Sequence, residues 1–281
     1  MKNTVADIQH LKKNSAPFST VTVYDYPTSL IINDTNIPMV LVGDSASMVV
    51  YGYDNTIPIT MDELILITKS VNRGIQKALI VADMPFMSYQ PSTEAAIKNA
   101  GQLIKFGGAD AIKLEGGREY VDRIEKIIES GVPVMGHLGL KPQSILTDSG
   151  YKIHGKNTID AMRIYKDALA LEKAGVFAIV LEGVPIELAE IITQKVQIPT
   201  VGIGAGNKCD GQIQVFHDLI GAFNQKIPKH AKKYINNYEI IKEALVNYCD
   251  QVENKIFPHK INAVKMDSNE LKSLQKNIED T

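Results

Sequence analysis

Short apolar runs recur along the chain, each closing in a polar or glycine-bearing turn: residues 18–26, 37–44, 77–83, 109–117, 131–140, 175–183, 198–206 and 213–219. Each is rich in Val and Ile and nearly continuous in apolar character, the pattern of strands covered on both faces. Between most of them, apolar residues return every three to four positions, as on an amphipathic helix. Thr60 opens one such segment, with Glu63 spaced for a capping box and Gly74 at its end. Ser92 opens a second that closes on Gly107 and Gly108, and Thr158 opens a third that stops at Gly175. Residues 118–130 and 185–196 read the same way, residues 4–13 predict a leading helix over the barrel floor, and 238–256 predict a final one.

Alternation of strand and helix implies a parallel sheet. Eight such units within ~200 residues predict an α/β fold of the closed (β/α)8 TIM-barrel type rather than an open sheet. The link from 206 to 213 is too short for a full helix. Residues 1–258 are expected to form a single catalytic domain with an N-terminal helix and a C-terminal helical extension. Residues 259–281 are polar and lysine-rich, which predicts a frayed, flexible tail.

With 44% hydrophobic and 22% charged residues among 281, the chain has ample material for one large core, and wholesale disorder is excluded. Thirty Lys and Arg against 32 Asp and Glu leave a net charge of -2, with no basic bias toward nucleic acid or an anionic membrane. No apolar run approaches the ~18 residues of a membrane span, and the first residues lack the apolar stretch of a signal peptide. Cys209 and Cys249 are too few for a disulfide framework or a thiolate metal cage, which predicts a reduced, cytoplasmic compartment.

The strand ends carry acids. Asp44 closes the second run, Asp83 the third, Glu115 the fourth and Glu182 the sixth. In a barrel these ends form the active-site face. One acid there is ordinary helix capping; four converging carboxylates require a cation among them. Three carboxylates without a companion thiolate suit a hard ion, Mg²⁺ first. Lys113 and Glu115 lie two apart and so share a face, which is the barrel interior if Ile112 and Leu114 face the helices. Lys113 then serves as an ion-pair partner, as a clamp for a substrate carboxylate, or as a Schiff-base amine. Ser45 offers a hydroxyl beside Asp44 for a carboxylate, or an N-cap. His137 ends the fifth run with no assigned step. Residues 202–206, GIGAG, lack the third glycine of a dinucleotide fingerprint, so tight packing is the better reading. The other five histidines show no metal-ligand spacing. Glu182, the acid left after three metal ligands, is the candidate general base. The residues together suggest Mg²⁺-dependent enolate chemistry on a small oxo acid.

The stretches LVGDSASMVVYGYDNTIPITMDEL, LIVADMPFMSY, AIKLEGG, GHLGLKPQS, VLEGVP and GIGAGNKCDGQI follow in order. Together they resemble the ketopantoate hydroxymethyltransferase family over roughly residues 4–258. The resemblance implies a barrel of the phosphoenolpyruvate/pyruvate superfamily type, assembled as a homo-oligomer, typically a homodecamer. It implies Mg²⁺ on Asp44 and Asp83 with Glu115 completing or supporting the site. The substrate, 3-methyl-2-oxobutanoate, would chelate that metal and place its carboxylate on Ser45 and Lys113. Glu182 would accept the proton, and 5,10-methylenetetrahydrofolate would be the one-carbon donor. Three departures stand out. Ser47 takes the place of a family glycine, which implies strain if the backbone there is left-handed. Ser149-Gly150 stands where Gly-Gly is common, and residues 221–232 differ from the family. Two alternatives remain: a Mg²⁺-dependent lyase or decarboxylase on the same barrel, and a non-catalytic binding module.

Overall fold

The computed structural model describes residues 1–224 and 227–280. Gln225 and Lys226 of the divergent 221–232 segment, and Thr281 of the tail, lie outside them. In chain order the elements are α1 (Val5–Lys13), β1 (Phe18–Thr22), α2 (Tyr26–Ile32), β2 (Met39–Val42), α3 (Ala46–Val49) and α4 (Met61–Gly74). Then come β3 (Leu79–Asp83), α5 (Thr93–Gln102), β4 (Ala111–Lys113), α6 (Val121–Glu129), β5 (Val134–Gly139), α7 (Thr158–Lys173) and β6 (Ala178–Glu182). The chain continues through α8 (Ile186–Lys195), β7 (Thr200–Ile203), β8 (Gly211–Gln214), α9 (Phe216–Ile220), α10 (Asn237–Glu253) and α11 (Ser268–Glu279). The strands close in sequence order into a barrel in which every pairing is parallel, with Phe18 of β1 beside Gly211 of β8.

The two-residue period of each strand sorts its side chains into two cores. Val40, Val42, Ile80, Ala82, Ile112, Leu114, Ile179 and Leu181 pack in the layer shared with the helices. Met39, Leu41, Leu79, Val81, Ala111, Met135, Val180 and Val201 form a second, inner cluster, joined by Ile8 of α1. The same alternation continues upward to Asp83 and Lys113, which are register partners across β3 and β4. The polar site is therefore the top layer of the barrel interior. Below it, Lys12 of α1 donates to the Thr193 carbonyl at 2.8 Å and pairs with Asp210 at 2.9 Å, which ties α1 to the β7–β8 connection.

Helix starts follow local chemistry. Thr60 and Glu63 form the expected capping box, and Ser92 caps α5. The cap of α7 is Asn157, one residue before the expected Thr158; its Oδ1 accepts from the Asp160 N–H. The eighth strand lies at Gly211–Gln214 rather than 213–219. The Phe216 N–H donates to Thr22 Oγ1 at 2.9 Å instead of to a ladder carbonyl, which turns the chain into α9.

The chain divides into two compact units. The first is Met1–Leu219 with the stretch ending at Lys233; the second holds the stretch beginning at Ile220 together with the chain from Tyr234 onward. The division thus falls well before residue 258, and α10 belongs to the second unit. The tail carries α11, capped by Asp267, where the polar composition predicts fraying. Among the described residues no helix is long and apolar enough to cross a membrane.

Ser47 carries no left-handed strain. It lies within the right-handed turn of α3, and its Oγ donates to the Asn55 carbonyl at 2.7 Å. Of the two departing serines, Ser149 is the left-handed one, with φ +55°, followed by Gly150 at +115°. Ser47→Gly is therefore expected to lose about 1–2 kcal/mol, from one hydrogen bond and the added chain entropy, whereas Ser149→Gly should stay within ~0.5 kcal/mol because relief of strain offsets that entropy. Urea denaturation of both variants measures the contrast. Gly139 is a second diagnostic: at φ +99° a Cβ there would overlap the Glu182 carbonyl oxygen, while one on Gly150 meets open space. Gly139→Ala should be less stable than Gly150→Ala by about 1–3 kcal/mol, visible as the lower melting temperature of the two.

Candidate active site

Five adjacent strands, β2 to β6, supply the charged groups at the carboxyl end of the barrel. Asp44 follows β2 through Gly43, Asp83 ends β3, and Lys113 ends β4 with Glu115 two residues on. His137 lies within β5, and Glu182 ends β6. Asp44, Asp83, Lys113, Glu115 and His137 are all buried, at most 4% exposed, while the Glu182 side chain keeps 19% of its surface. The expected convergence of the four acids and Lys113 at one mouth is thus present, and His137 joins them.

The Lys113 ammonium lies 2.7 Å from Asp83 Oδ1. The other Asp83 oxygen, Oδ2, accepts from the Asp44 backbone N–H at 2.9 Å. Burial opposes the charge on Lys113, but Asp83, Asp44 and Glu115 outweigh it and raise its pKa above the ordinary lysine value. Asp44 is raised well above the usual carboxylate range, first by burial and then by the charges of Asp83 and Glu115. The mouth therefore holds more buried negative charge than its own lysine neutralises. His137 bridges two acids: Nδ1 lies 3.5 Å from Glu115 Oε1 and Nε2 lies 3.3 Å from Glu182 Oε2. Burial and Lys113 disfavour its cation, yet contact with Glu115 and Glu182 prevails and pushes its pKa up to about 9. The two flanking acids thus favour its charged form.

Ser45 and Glu182 do not serve as helix caps. Ser45 sits at the N-cap of α3 without a side-chain capping bond, and its Oγ lies 2.8 Å from the Tyr24 hydroxyl. The N-cap of α8 is Pro185, not Glu182. The GIGAG turn is close packing, as expected: a Cβ on Gly206 would run into the Ile186 side chain, and one on Gly202 would lie 3.1 Å from Cys209 Sγ.

Two groups escaped the sequence reading. Gln143 donates from Nε2 to Asp44 Oδ2 at 2.8 Å and to the Met84 carbonyl at 2.9 Å, and its backbone N–H donates to Glu115 Oε2 at 3.1 Å. The Tyr89 hydroxyl lies 3.0 Å from both the Glu115 carbonyl and Gln143 Oε1, which share its one proton. Both residues lie in quoted motifs, LIVADMPFMSY and GHLGLKPQS. Uncharged residues on separate loops carry no spacing signal that would join them.

The donor set suits a hard divalent cation. The side-chain oxygens are carboxylates, Glu115 Oε1 is buried without a hydrogen-bond partner, and Asp44 Oδ1 accepts no hydrogen bond among the described residues. Among the described residues, however, no three His, Cys, Asp or Glu side chains already stand as a cage. Asp83 has both oxygens hydrogen-bonded, so in the expected set of Asp44, Asp83 and Glu115 the oxygens without a hydrogen bond are on Asp44 and Glu115, the Glu115 one facing His137 at 3.5 Å. That matches the habit of Mg²⁺, which takes one or two carboxylates and completes its shell with substrate and water.

The sequence model described as ketopantoate hydroxymethyltransferase matches residues 2–260. A protein of Dehalococcoides mccartyi named 3-methyl-2-oxobutanoate hydroxymethyltransferase is 48% identical over 276 residues, covering 98% of this chain and 99% of its own. Proteins of the same name from Clostridium beijerinckii and Nitrosopumilus maritimus are 47% and 48% identical over 98% and 99% of this chain, and 100% and 99% of their own. Among solved structures, 2,3-dimethylmalate lyase, a PEP mutase/isocitrate lyase superfamily member, aligns over the full length of both chains with a TM-score of 0.58 at 14% identity. Oxaloacetate acetylhydrolase gives 0.62 at 12% identity over 98% of this chain and 95% of its own. At such identity these two speak for the barrel fold alone. The family match spans nearly the whole chain and includes every strand end that carries the site, so the chain belongs to the ketopantoate hydroxymethyltransferase family.

Proposed function

We propose that the chain transfers a one-carbon unit from 5,10-methylenetetrahydrofolate to C3 of 3-methyl-2-oxobutanoate, giving 2-dehydropantoate and tetrahydrofolate in pantothenate biosynthesis. The names of the relatives support the acceptor and the pathway. The observation that carries the chemistry is Glu182: a strand-end carboxylate, partly exposed, free of any capping role and in contact with His137. Mg²⁺ is the cation of this reading. Bound, it would polarise the oxo group and stabilise negative charge developing on its oxygen. Asp44 and Glu115 would hold it through their free oxygens.

The chain's own residues do the rest. Lys113 and Ser45 bind the substrate carboxylate. In turning to that carboxylate, Lys113 releases Asp83 Oδ1, which becomes available as a further oxygen ligand. Glu182 removes the C3 proton, and His137 holds its Oε2 in place. The carbanion at C3 attacks the donor methylene; a C–C bond forms, both methylene C–N bonds break, water supplies the hydroxyl, and the C3 proton taken by Glu182 and the water's other proton pass to the two folate nitrogens. A homo-oligomer, typically decameric in the family, is part of the reading. Its support here is the second unit: Tyr238, Ile241, Leu245, Tyr248 and Val252 recur along α10 at spacings of three and four, all exposed. Two free cysteines suit a reduced cytoplasm.

Chelation tests the metal. EDTA should abolish formation of 2-dehydropantoate and Mg²⁺ should restore it; full turnover in chelated buffer would rule the cation out. The base is tested in D₂O without folate, where the wild type should exchange the C3 hydrogen of 3-methyl-2-oxobutanoate by NMR. Glu182→Gln keeps the side-chain size but accepts no proton, so exchange should fall ~10²–10⁴-fold while Mg²⁺-dependent substrate binding persists. Exchange near the wild-type rate in a folded, substrate-binding Glu182→Gln protein would move the role to another group.

A further inference from the structure

Gln143 lies 5% exposed at the start of the β5–α7 loop, and all of its amide valences are used. An amide offers two N–H donors and one carbonyl acceptor with two lone pairs. Here Nε2 donates to Asp44 Oδ2 and to the Met84 carbonyl, while Oε1 accepts from the Tyr89 hydroxyl at 3.0 Å and from Gln90 Nε2 at 3.2 Å. The orientation is fixed by the Met84 carbonyl, which only accepts and so takes an N–H of the amide. Its backbone N–H takes one oxygen of a second acid, Glu115 Oε2. A single residue therefore engages one oxygen on each of two acids from different strands; among the described residues the other oxygen of each, Oδ1 of Asp44 and Oε1 of Glu115, accepts no hydrogen bond, and Oε1 faces His137 Nδ1 at 3.5 Å.

The residue itself is held from both sides. It sits in the turn Pro142–Ser144, where Pro142 fixes the backbone. The preceding Leu140 N–H donates to the Glu182 carbonyl at 2.8 Å, and Lys141 pairs with Glu119 at 3.3 Å. Tyr89, which anchors Oε1, also accepts from the Glu115 N–H at 3.2 Å and packs edge-on against Tyr120. Such a frame fixes angle as well as distance. We propose that Gln143 is a positioning residue that aims the free oxygens of Asp44 and Glu115 at the divalent cation, a role resting on the Mg²⁺ reading above. Partners of metal ligands that fix their orientation are worth ~10–100-fold in metal affinity when lost.

Gln143→Glu separates orientation from charge. It keeps the shape and adds a negative charge, which by simple attraction would tighten cation binding. It also replaces the donor to Asp44 with a repelling carboxylate. The measurement is Mg²⁺ titration of the full chain with saturating 3-methyl-2-oxobutanoate, read by calorimetry and by the Mg²⁺ concentration giving half-maximal C3 exchange. Both should rise ~10–100-fold in Gln143→Glu, with most of the exchange rate recovered at high Mg²⁺. Tyr89→Phe, which removes the bonds to Gln143 Oε1 and Glu115, should shift the same quantities by a smaller factor, and it decides the matter if Gln143→Glu does not fold. An unchanged or lower Mg²⁺ requirement in a folded Gln143→Glu protein overturns the proposal and leaves the metal reading intact. So does a fall in maximal exchange with no change in Mg²⁺ requirement. Failure of the wild type to bind Mg²⁺ in the calorimeter overturns both.

Discussion

The buried pair of Lys113 and Asp83 is the interaction on which the rest of the mouth depends. Three carboxylates and a lysine stand in the top layer of the barrel interior, where water does little to screen them. Removing one partner of such a pair typically costs about 3–5 kcal/mol, because a charge is left buried alone. Lys113 tolerates its burial because Asp83, Asp44 and Glu115 surround it. Asp44 is the group that suffers, pushed toward its neutral form by burial and its acidic neighbours. A site built this way favours the arrival of further positive charge.

The barrel makes that crowding possible. Parallel closure aligns the strand ends, and the two-residue period directs Asp83 and Lys113 inward above Val81 and Ala111. Helices hold the outer face through a separate apolar layer. The chemistry therefore sits on rigid strand ends, while the connecting loops supply Gln143, Tyr89 and Ser45. Close backbone approach at Gly139, beside the Glu182 carbonyl, links β5 to β6 and sets Glu182 relative to His137. His137 stands between Glu115 on one side and Glu182 on the other, so acids from two strands meet one side chain.

Much of this was legible in the amino-acid order. Strand number, parallel sense and the inward face of Lys113 and Glu115 follow from short Val- and Ile-rich runs and the period of two. Thr60 and Glu63 declared a helix start because a capping box is local chemistry. The acids at four strand ends marked the charged mouth, since isolated buried carboxylates are unfavourable. The eighth strand was misplaced because its boundary is set by a side-chain bond to Thr22, nearly two hundred residues away in sequence.

What only the tertiary structure decided has one physical cause: the deciding contacts join residues that no sequence period relates. Gln143 meets Asp44 across 99 positions, and Tyr89 meets Gln143 across 54. The role of His137 depends on its standing between Glu115 and Glu182 from neighbouring strands. Strain was expected at Ser47 from a glycine pattern, yet the left-handed backbone falls at Ser149, because φ depends on the turn the loop completes. The sequence determined which charges reach the barrel mouth. Only the folded chain decided which oxygen of each acid is engaged, and so which ones are left to bind.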